Sequence, residues 1–270
     1  MIDAQKIADI VRHVAATEVM PRFRNLQEGD IREKSPGDFV TIADEESEKL
    51  FTRLLIEQLP GSLVVGEEAV AKDALVLDLL KDERPVWVID PVDGTYNFSH
   101  GRSHFGILIA LVQKGETLGG WMFDVPGNRM VVAEMGSGAY LDGEKIKIRC
   151  DKSKASELTG QAGGAQAWHF DAIRPLFHEV RNYRCSLHDY LSFLTGAADF
   201  IVHVNKQTPW DHAAPNLAAA EAGAFTGMGD NGAPYDPTRY GPAFMITAPD
   251  REWYDQLFPL LSSNLIRKGV

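Results

Sequence analysis

Ile2, Ile7, Ile10, Val11 and Val14 recur near a 3.6-residue spacing with polar residues between them, which predicts an amphipathic helix over 2–19 ending near Pro21. A second helix is predicted over 43–58, ADEESEKLFTRLLIEQ, where acids come first and Leu50, Phe51, Leu54 and Leu55 follow, an order that suits the helix dipole. Between them IREKSPGDFV mixes charge with Pro36 and Gly37, the composition of a mobile loop. LVVGEE and VWVID break the helical pattern. Both are short, apolar and β-branched, and both stop in carboxylates, so they read as buried strands that deliver acids at their C-terminal ends. From His104 to Ile148, FGILIALVQ, TLGGWMFDV, RMVVAEM, GAYLDG and KIKI alternate with Gly, Pro and Asn turns, which predicts an antiparallel meander. Beyond Asp151 the pattern predicts helices around 169–177 and 188–196, a strand DFIVHV and a long Ala-rich helix over Trp210–Ala222. The order fits two α+β halves, about 1–150 and 151–270, packed as one unit.

Composition narrows the function classes. The chain has 270 residues and 44% hydrophobic content, enough for a sizeable core. Lys plus Arg number 27 against 38 Asp plus Glu, a formal charge of −11, which disfavours binding to nucleic acid or an anionic membrane and suits divalent cations. The two cysteines, Cys150 and Cys185, form no CxxC and no disulfide framework. No run approaches the ~18 apolar residues of a membrane span and no targeting signal is visible, so the expected location is cytoplasmic.

The segment VWVIDPVDGTYNFSHG, residues 86–101, concentrates the chemistry: Asp90 ends the apolar run, Asp93 stands three residues on, and Gly94-Thr95 follows at once. A chain curling back after the strand aims both aspartates and the Val92 carbonyl at one point, offering hard oxygens suited to Mg²⁺, Mn²⁺ or Ca²⁺ rather than zinc or copper. Asp-Pro-x-Asp-Gly is equally a plain turn. Thr95, Asn97 and Phe98 continue into helix-compatible sequence, so the N–H groups of Gly94 and Thr95 form an anion site beside the cations. Two cations about 4 Å apart beside an anion site are equipment for phosphoryl transfer. Further carboxylates come from Glu67-Glu68 after LVVG, from Asp211 in PWDHAAPNLAAAEAGA and from Asp44 ahead of the second helix. Each has a plainer reading, respectively an acidic helix start, a residue favoured by the helix dipole, and an N-cap.

Taken together, VVGEE, WVIDPVDGTYNF and PWDHAAPNLAAAEAGA resemble the signature blocks of the inositol monophosphatase family of Mg²⁺-dependent, lithium-sensitive-type phosphatases. GDFVTIADEESEKLF resembles the family's mobile loop and following helix, and GSGAYLDGEKIKI its central hairpin, so the likeness covers nearly the whole chain. The resemblance implies the five-layered αβαβα sandwich shared with fructose-1,6-bisphosphatase, assembled as a homodimer. It implies that Glu67, Asp90 and the Val92 carbonyl bind one metal, that Asp90, Asp93 and Asp211 bind a second, and that Glu67 reaches a third through water. Two or three Mg²⁺ ions are the implied cofactor, with Mn²⁺ an acceptable substitute and Ca²⁺ an inhibitor. Thr95 paired with Asp44 orients or deprotonates the nucleophilic water, the amides of Gly94 and Thr95 hold phosphate, and Lys34 lies in the mobile loop that closes over the metals. The substrate is then a small phosphate ester, by resemblance myo-inositol monophosphate.

The substrate segment departs from that pattern. Inositol-specific members carry a glutamate shortly before the Trp-Asp block, where this chain has FIVHVNKQTP; a Gly-Ser or Gly-Thr-Ala stretch is replaced by RCSLHDY. Asp93, Arg184, Ser186 and Lys206 are the candidate substrate contacts, and Arg184, His188, His203 and Lys206 together predict a more basic mouth, suited to a more anionic ester. A bisphosphate nucleotide, fructose 1,6-bisphosphate and histidinol phosphate are the alternative substrates, and a non-catalytic metal- and phosphate-binding protein is the alternative of a different class. The plainer reading of the basic residues is that they pair with Asp189 and Asp199. His100, His104 and His212 read as packing or capping residues, and Cys185 as a small apolar filler.

Overall fold

The computed structural model describes residues 2–164, 167–204, 206–228, 232–242 and 244–265. Helix α1 (Ala4–Val14) is capped by the Asp3 carboxylate and runs on through a π turn, Ala15–Val19, and a single 3₁₀ turn, Met20–Arg22, that absorbs Pro21 at its first positions. The stretch expected to be a loop is a ribbon of β1 (Ile31–Ser35) and β2 (Asp38–Thr41). It leads straight into α2 (Ile42–Gln58).

Next come β3 (Leu63–Gly66), α3 (Glu67–Lys72), β4 (Val86–Asp93) and the short α4 (Thr95–Ser99). The expected meander is β5 (Gly106–Gln113), β6 (Glu116–Asp124), β7 (Arg129–Glu134), β8 (Gly138–Leu141) and β9 (Glu144–Lys145). Strands β3 to β9 lie side by side in sequence order as one seven-stranded sheet; only β3 and β4 are parallel.

The rest of the chain holds β10 (Thr159–Gly163), α5 (Ala167–Ile173), β11 (Glu179–Arg181), α6 (Ser186–Leu194), β12 (Phe200–His203), β13 (Lys206–Gln207) and α7 (Pro209–Glu221). It ends with β14 (Phe225–Met228), β15 (Ala233–Pro234), β16 (Gly241–Pro242), β17 (Met245–Ala248) and α8 (Arg251–Leu265). The second sheet has the order β11-β10-β12-β17-β14-β15, while β13 and β16 pair apart from it.

Side-chain alternation on the strands sorts these elements into layers. On β4 and β5, Trp87, Ile89, Ile107, Ile109 and Leu111 pack with Ile7, Val11, Val14, Phe51 and Leu55 of the first two helices. The intervening Val86, Val88, Leu108, Ala110 and Val112 pack on the other face against Leu187 and Leu191 of α6 and the alanines of α7. That second cluster reaches Ile201 of β12, and beyond the second sheet Val202 and Ile246 pack with Trp253, Leu257 and Leu261 of α8. The result is the αβαβα sandwich. Ala213, Ala214 and Ala218 keep α7 close to the first sheet: a Cβ on Gly120 would stand 3.0 Å from the Ala214 backbone. Among the described residues no helix is long and apolar enough to cross a membrane.

Candidate active site

The spacing of Asp90 and Asp93 poses a geometric problem, because residues three apart on a regular strand face opposite ways. The chain does not leave the sheet after Asp90 as the sequence suggests; β4 continues to Asp93 through an irregularity. Asp90 pairs with Leu108 but Asp93 with Gly106, so three steps along β4 match two along β5. The extra residue is a bulge that brings both carboxylates to one side, and it accommodates Pro91, which has no N–H to give the ladder. Each then finds donors: Asp90 Oδ1 accepts the Val92 amide (3.1 Å), and Asp93 accepts the amides of Ser186 (3.1 Å) and Leu187 (2.5 Å) and the Cys185 thiol (3.1 Å). Cys185, expected as filler, thus joins the opening of α6 to the acidic group.

Two further acids stand three residues after a threonine at the start of a helix. Thr41 caps α2, and Asp44, its third residue, closes a capping box by accepting the Thr41 amide (2.8 Å) and hydroxyl (2.5 Å). Asp44 is therefore inside the helix rather than its N-cap. Thr208 precedes α7, and its hydroxyl donates to the Asp211 carboxylate. Asp211 completes the group: one oxygen from each of Asp90, Asp93 and Asp211 lies within 4.8 Å of the others.

Glu67 does not end a strand but opens α3. The buried Glu48 carboxylate caps that helix, accepting the amides of Glu68 (2.7 Å) and Ala69 (2.8 Å), and it fills the place a Cβ on Gly66 would occupy. Lys34, from the β1–β2 ribbon, bridges Glu67 (2.7 Å) and Glu68 (3.0 Å).

Asp90 and Asp93 are out of water, Glu67 and Asp211 are partly covered, and their charges act on one another. Burial first, then the charges of Glu67, Asp93, Asp211 and Asp44, push the Asp90 carboxyl well above the ordinary carboxylate range. Burial also raises Glu67 against the pull of Lys34, and raises Asp93 against its amide and thiol donors. Burial works against the Lys34 charge too, but Glu67 and Glu68 more than reverse it and hold the ammonium protonated. A largely buried set of hard oxygen donors with excess negative charge fits a small divalent cation, which satisfies the oxygens and cancels the repulsion at once.

Beside the set, Thr95 Oγ1 stands 3.0 Å from Asp44 Oδ1 and 2.9 Å from the Val92 carbonyl oxygen. Burial pushes Asp44 up to about 7, opposed by its bonds from Thr41 and Thr95. Gly94 makes the turn from β4 into α4 at φ +84°, and its amide also acts on Asp93.

The basic mouth is only partly assembled. Arg184 is exposed beside α4, and Ser186 turns its amide to Asp93. His188 and His203 are buried instead; burial lowers them to about 4 and about 3, so both are neutral near pH 7. Their nearest carboxylate oxygens belong to Asp124 (3.6 Å) and Asp189 (4.0 Å). The backbone of Lys206 lies on β13, and its side chain is outside the described residues. Sequence reasoning missed Glu48, Thr208 and the Cys185–Leu187 donors. The Thr-x-x-Asp spacing signals Thr208; the others act across more than 20 residues, or as a capping pair 20 apart, and left no local trace.

Comparison with known proteins agrees with this geometry. The model of the inositol monophosphatase family matches residues 4–264. The chain belongs to the inositol monophosphatase family. It is accordingly a phosphoric monoester hydrolase. The Mycobacterium tuberculosis protein named inositol-1-monophosphatase SuhB is 32% identical over 209 residues, 73% of this chain and 71% of the relative. A Thermotoga maritima protein named fructose-1,6-bisphosphatase/inositol-1-monophosphatase is 31% identical over 198 residues, 72% and 73% of the two chains. Among solved structures a Thermotoga maritima IMPase superposes with a TM-score of 0.82 at 23% identity, covering 97% of each chain, a likeness of fold.

In this family member Gly94 admits no side chain. A Cβ there would stand 2.8 Å from the His104 carbonyl oxygen and 3.1 Å from Cys185 Cβ, at a φ that L-residues adopt only under strain. Gly94→Ala is expected to lower stability by roughly 2 kcal/mol or more, seen as a fall in melting temperature; an unchanged melting temperature would show that the turn relaxes freely.

Proposed function

We propose that this family member is a Mg²⁺-dependent phosphomonoesterase of a small phosphorylated metabolite, working as a single unit and, by the family resemblance, cytoplasmic and dimeric. The observation that carries the reading is the convergence of the Asp90, Asp93 and Asp211 oxygens beside the Thr95–Asp44 pair. Asp90, Asp93 and Asp211 hold the cations, with Glu67 and the Val92 carbonyl as additional oxygen donors. Bound there, Mg²⁺ supplies positive charge against the phosphoryl oxygens and makes water more acidic.

The chain's own groups do the rest. Thr95 Oγ1 orients the attacking water and takes its proton as its own moves to Asp44 Oδ1. The water oxygen forms the new bond to phosphorus, and the ester bond breaks with its electron pair on the alcohol oxygen, which takes a proton from solvent water while Asp44 returns its proton to solvent. The amides of Gly94 and Thr95, at the turn into α4, are the groups that would receive the phosphate. Lys34, bonded to Glu67 and Glu68, holds the β1–β2 ribbon against the acidic set.

myo-Inositol monophosphate is the reference substrate by resemblance, and the two activities in the name of the Thermotoga maritima relative support testing fructose 1,6-bisphosphate beside it. Phosphate release from a panel of phosphorylated metabolites is expected with Mg²⁺ and to be lost in chelator. Turnover that is indifferent to chelation would remove the metal-dependent reading.

A further inference from the structure

Tyr96 directly follows Thr95 on α4, and two guanidinium groups from separate parts of the chain meet its ring. Arg184 Cζ lies 3.6 Å from the ring centroid and Arg102 Cζ 5.3 Å. His100 stacks on the same ring at 4.2 Å, and Phe39 of the β1–β2 ribbon meets it at 5.7 Å. The placement is fixed by backbone. The Arg102 amide donates to the Asn97 carbonyl (2.8 Å), and the Asn97 side chain donates to the Tyr183 carbonyl (2.8 Å), tying the segment before α6 to α4. The three residues after Arg184 supply the donors to Asp93. Arg184 therefore reaches from the segment that grips Asp93 to the helix that carries Thr95, and Arg102, just after that helix, meets the same ring.

Both are exposed, and among the described residues neither forms an ion pair with a carboxylate. Two like charges sharing one ring repel, and a cation–π contact alone needs only one of them. Arg184 also holds a left-handed backbone, φ +56°, steadied by its amide bond to Asn182 Oδ1 (2.6 Å). That conformation costs a non-glycine residue free energy and sets the direction in which the side chain leaves the backbone. Planar forks of N–H donors match the oxygens of phosphate and carboxylate two at a time.

We propose that Arg184 and Arg102, mounted on Tyr96, form a subsite for a second anionic group of the substrate, so that the preferred ester carries a phosphate or carboxylate besides the phosphate that is cleaved. This rests on the phosphatase reading above. It replaces the basic mouth expected from the sequence: His188 and His203 are buried and neutral, and Arg102 takes their part.

The test is turnover by the full chain in Mg²⁺ of fructose 1,6-bisphosphate, adenosine 3′,5′-bisphosphate and 2-phosphoglycerate, against glycerol 2-phosphate and inositol 1-phosphate, which carry one phosphate and only hydroxyls. At least one doubly anionic ester is expected to have the highest kcat/KM. For Arg184→Ala the ratio of its kcat/KM to that of glycerol 2-phosphate is expected to fall by about 10- to 100-fold, chiefly through KM. Arg102→Ala is expected to act in the same sense but less, and Arg184→Lys to restore part of the ratio. Equal losses on both kinds of ester, or a singly charged ester preferred by the wild type, overturn the proposal. Absence of Mg²⁺-stimulated turnover on every ester is a separate result that removes the phosphatase reading and this inference with it.

Discussion

Asp90→Asn is expected to lower kcat/KM by on the order of 10³-fold or more while raising the melting temperature of the metal-free protein. The two effects share one cause. Asp90 is buried among Glu67, Asp93, Asp211 and Asp44, and its carboxyl is held well above the ordinary range by burial and by their charge. Folding therefore favours its protonated form. A carboxyl whose folded pKa is raised destabilises the fold as pH climbs from its unfolded value towards its folded one. The asparagine carries no charge to relieve, and its side-chain oxygen can still accept the Val92 amide that Asp90 accepts at 3.1 Å. Its stabilising effect is thus expected to be absent near pH 4 and largest near pH 8, with each ~1 kcal/mol appearing as about 2–4 °C. Added Mg²⁺ reverses the order, because the wild type gains binding free energy that the variant has given up. Melting curves in chelator and in Mg²⁺ at both pH values check this. A variant as active as wild type, or one destabilised equally in all four conditions, would mean that Asp90 serves packing rather than charge.

The same residue shows where sequence reading succeeds and where it stops. Val86 to Ile89 are legible as a buried strand because a short unbroken apolar run rich in β-branched residues suits a strand covered on both faces. The bulge between Asp90 and Asp93 is not legible, since it exists only as a mismatch in pairing with β5. A turn and a bulge both bring the two acids together, so the expected juxtaposition and its actual cause differ. Thr41-x-x-Asp44 and Thr208-x-x-Asp211 are local capping signals and mark both helix starts. Glu67 is harder: its helix begins where it does because Glu48, on a different helix, caps it. The histidines failed for a related reason. Charge type alone marked His188 and His203 as basic, yet α6 packs between the two sheets and β12 is an inner strand of the second, so burial removes their charge.

Thr95→Ala is expected to reduce kcat by about 10²- to 10⁴-fold with little change in KM or in the Mg²⁺ concentration for half-activation, the range typical of a positioned proton-transfer group. Thr95 Oγ1 has one proton and two acceptors in reach, Asp44 Oδ1 at 3.0 Å and the Val92 carbonyl at 2.9 Å. Donation to Asp44 lets the hydroxyl pass its proton to a carboxylate as it takes one from water; donation to the Val92 carbonyl does not. Asp44 must be ionised to accept that proton, and burial pushes it up to about 7 in the metal-free protein. Bound dications favour the ionised form, so the acid limb of the pH–rate profile is expected at or below about 7 and to be lost in Asp44→Asn. Thr95→Ser keeps the hydroxyl and is expected to stay within about tenfold of wild type, whereas alanine also leaves Asp44 Oδ1 short of a donor, at a cost of roughly 1–3 kcal/mol. Steady-state kinetics of the two Thr95 variants, with melting curves alongside, separate the roles. A serine variant as slow as alanine would point to the Thr95 methyl group and its packing rather than to the hydroxyl.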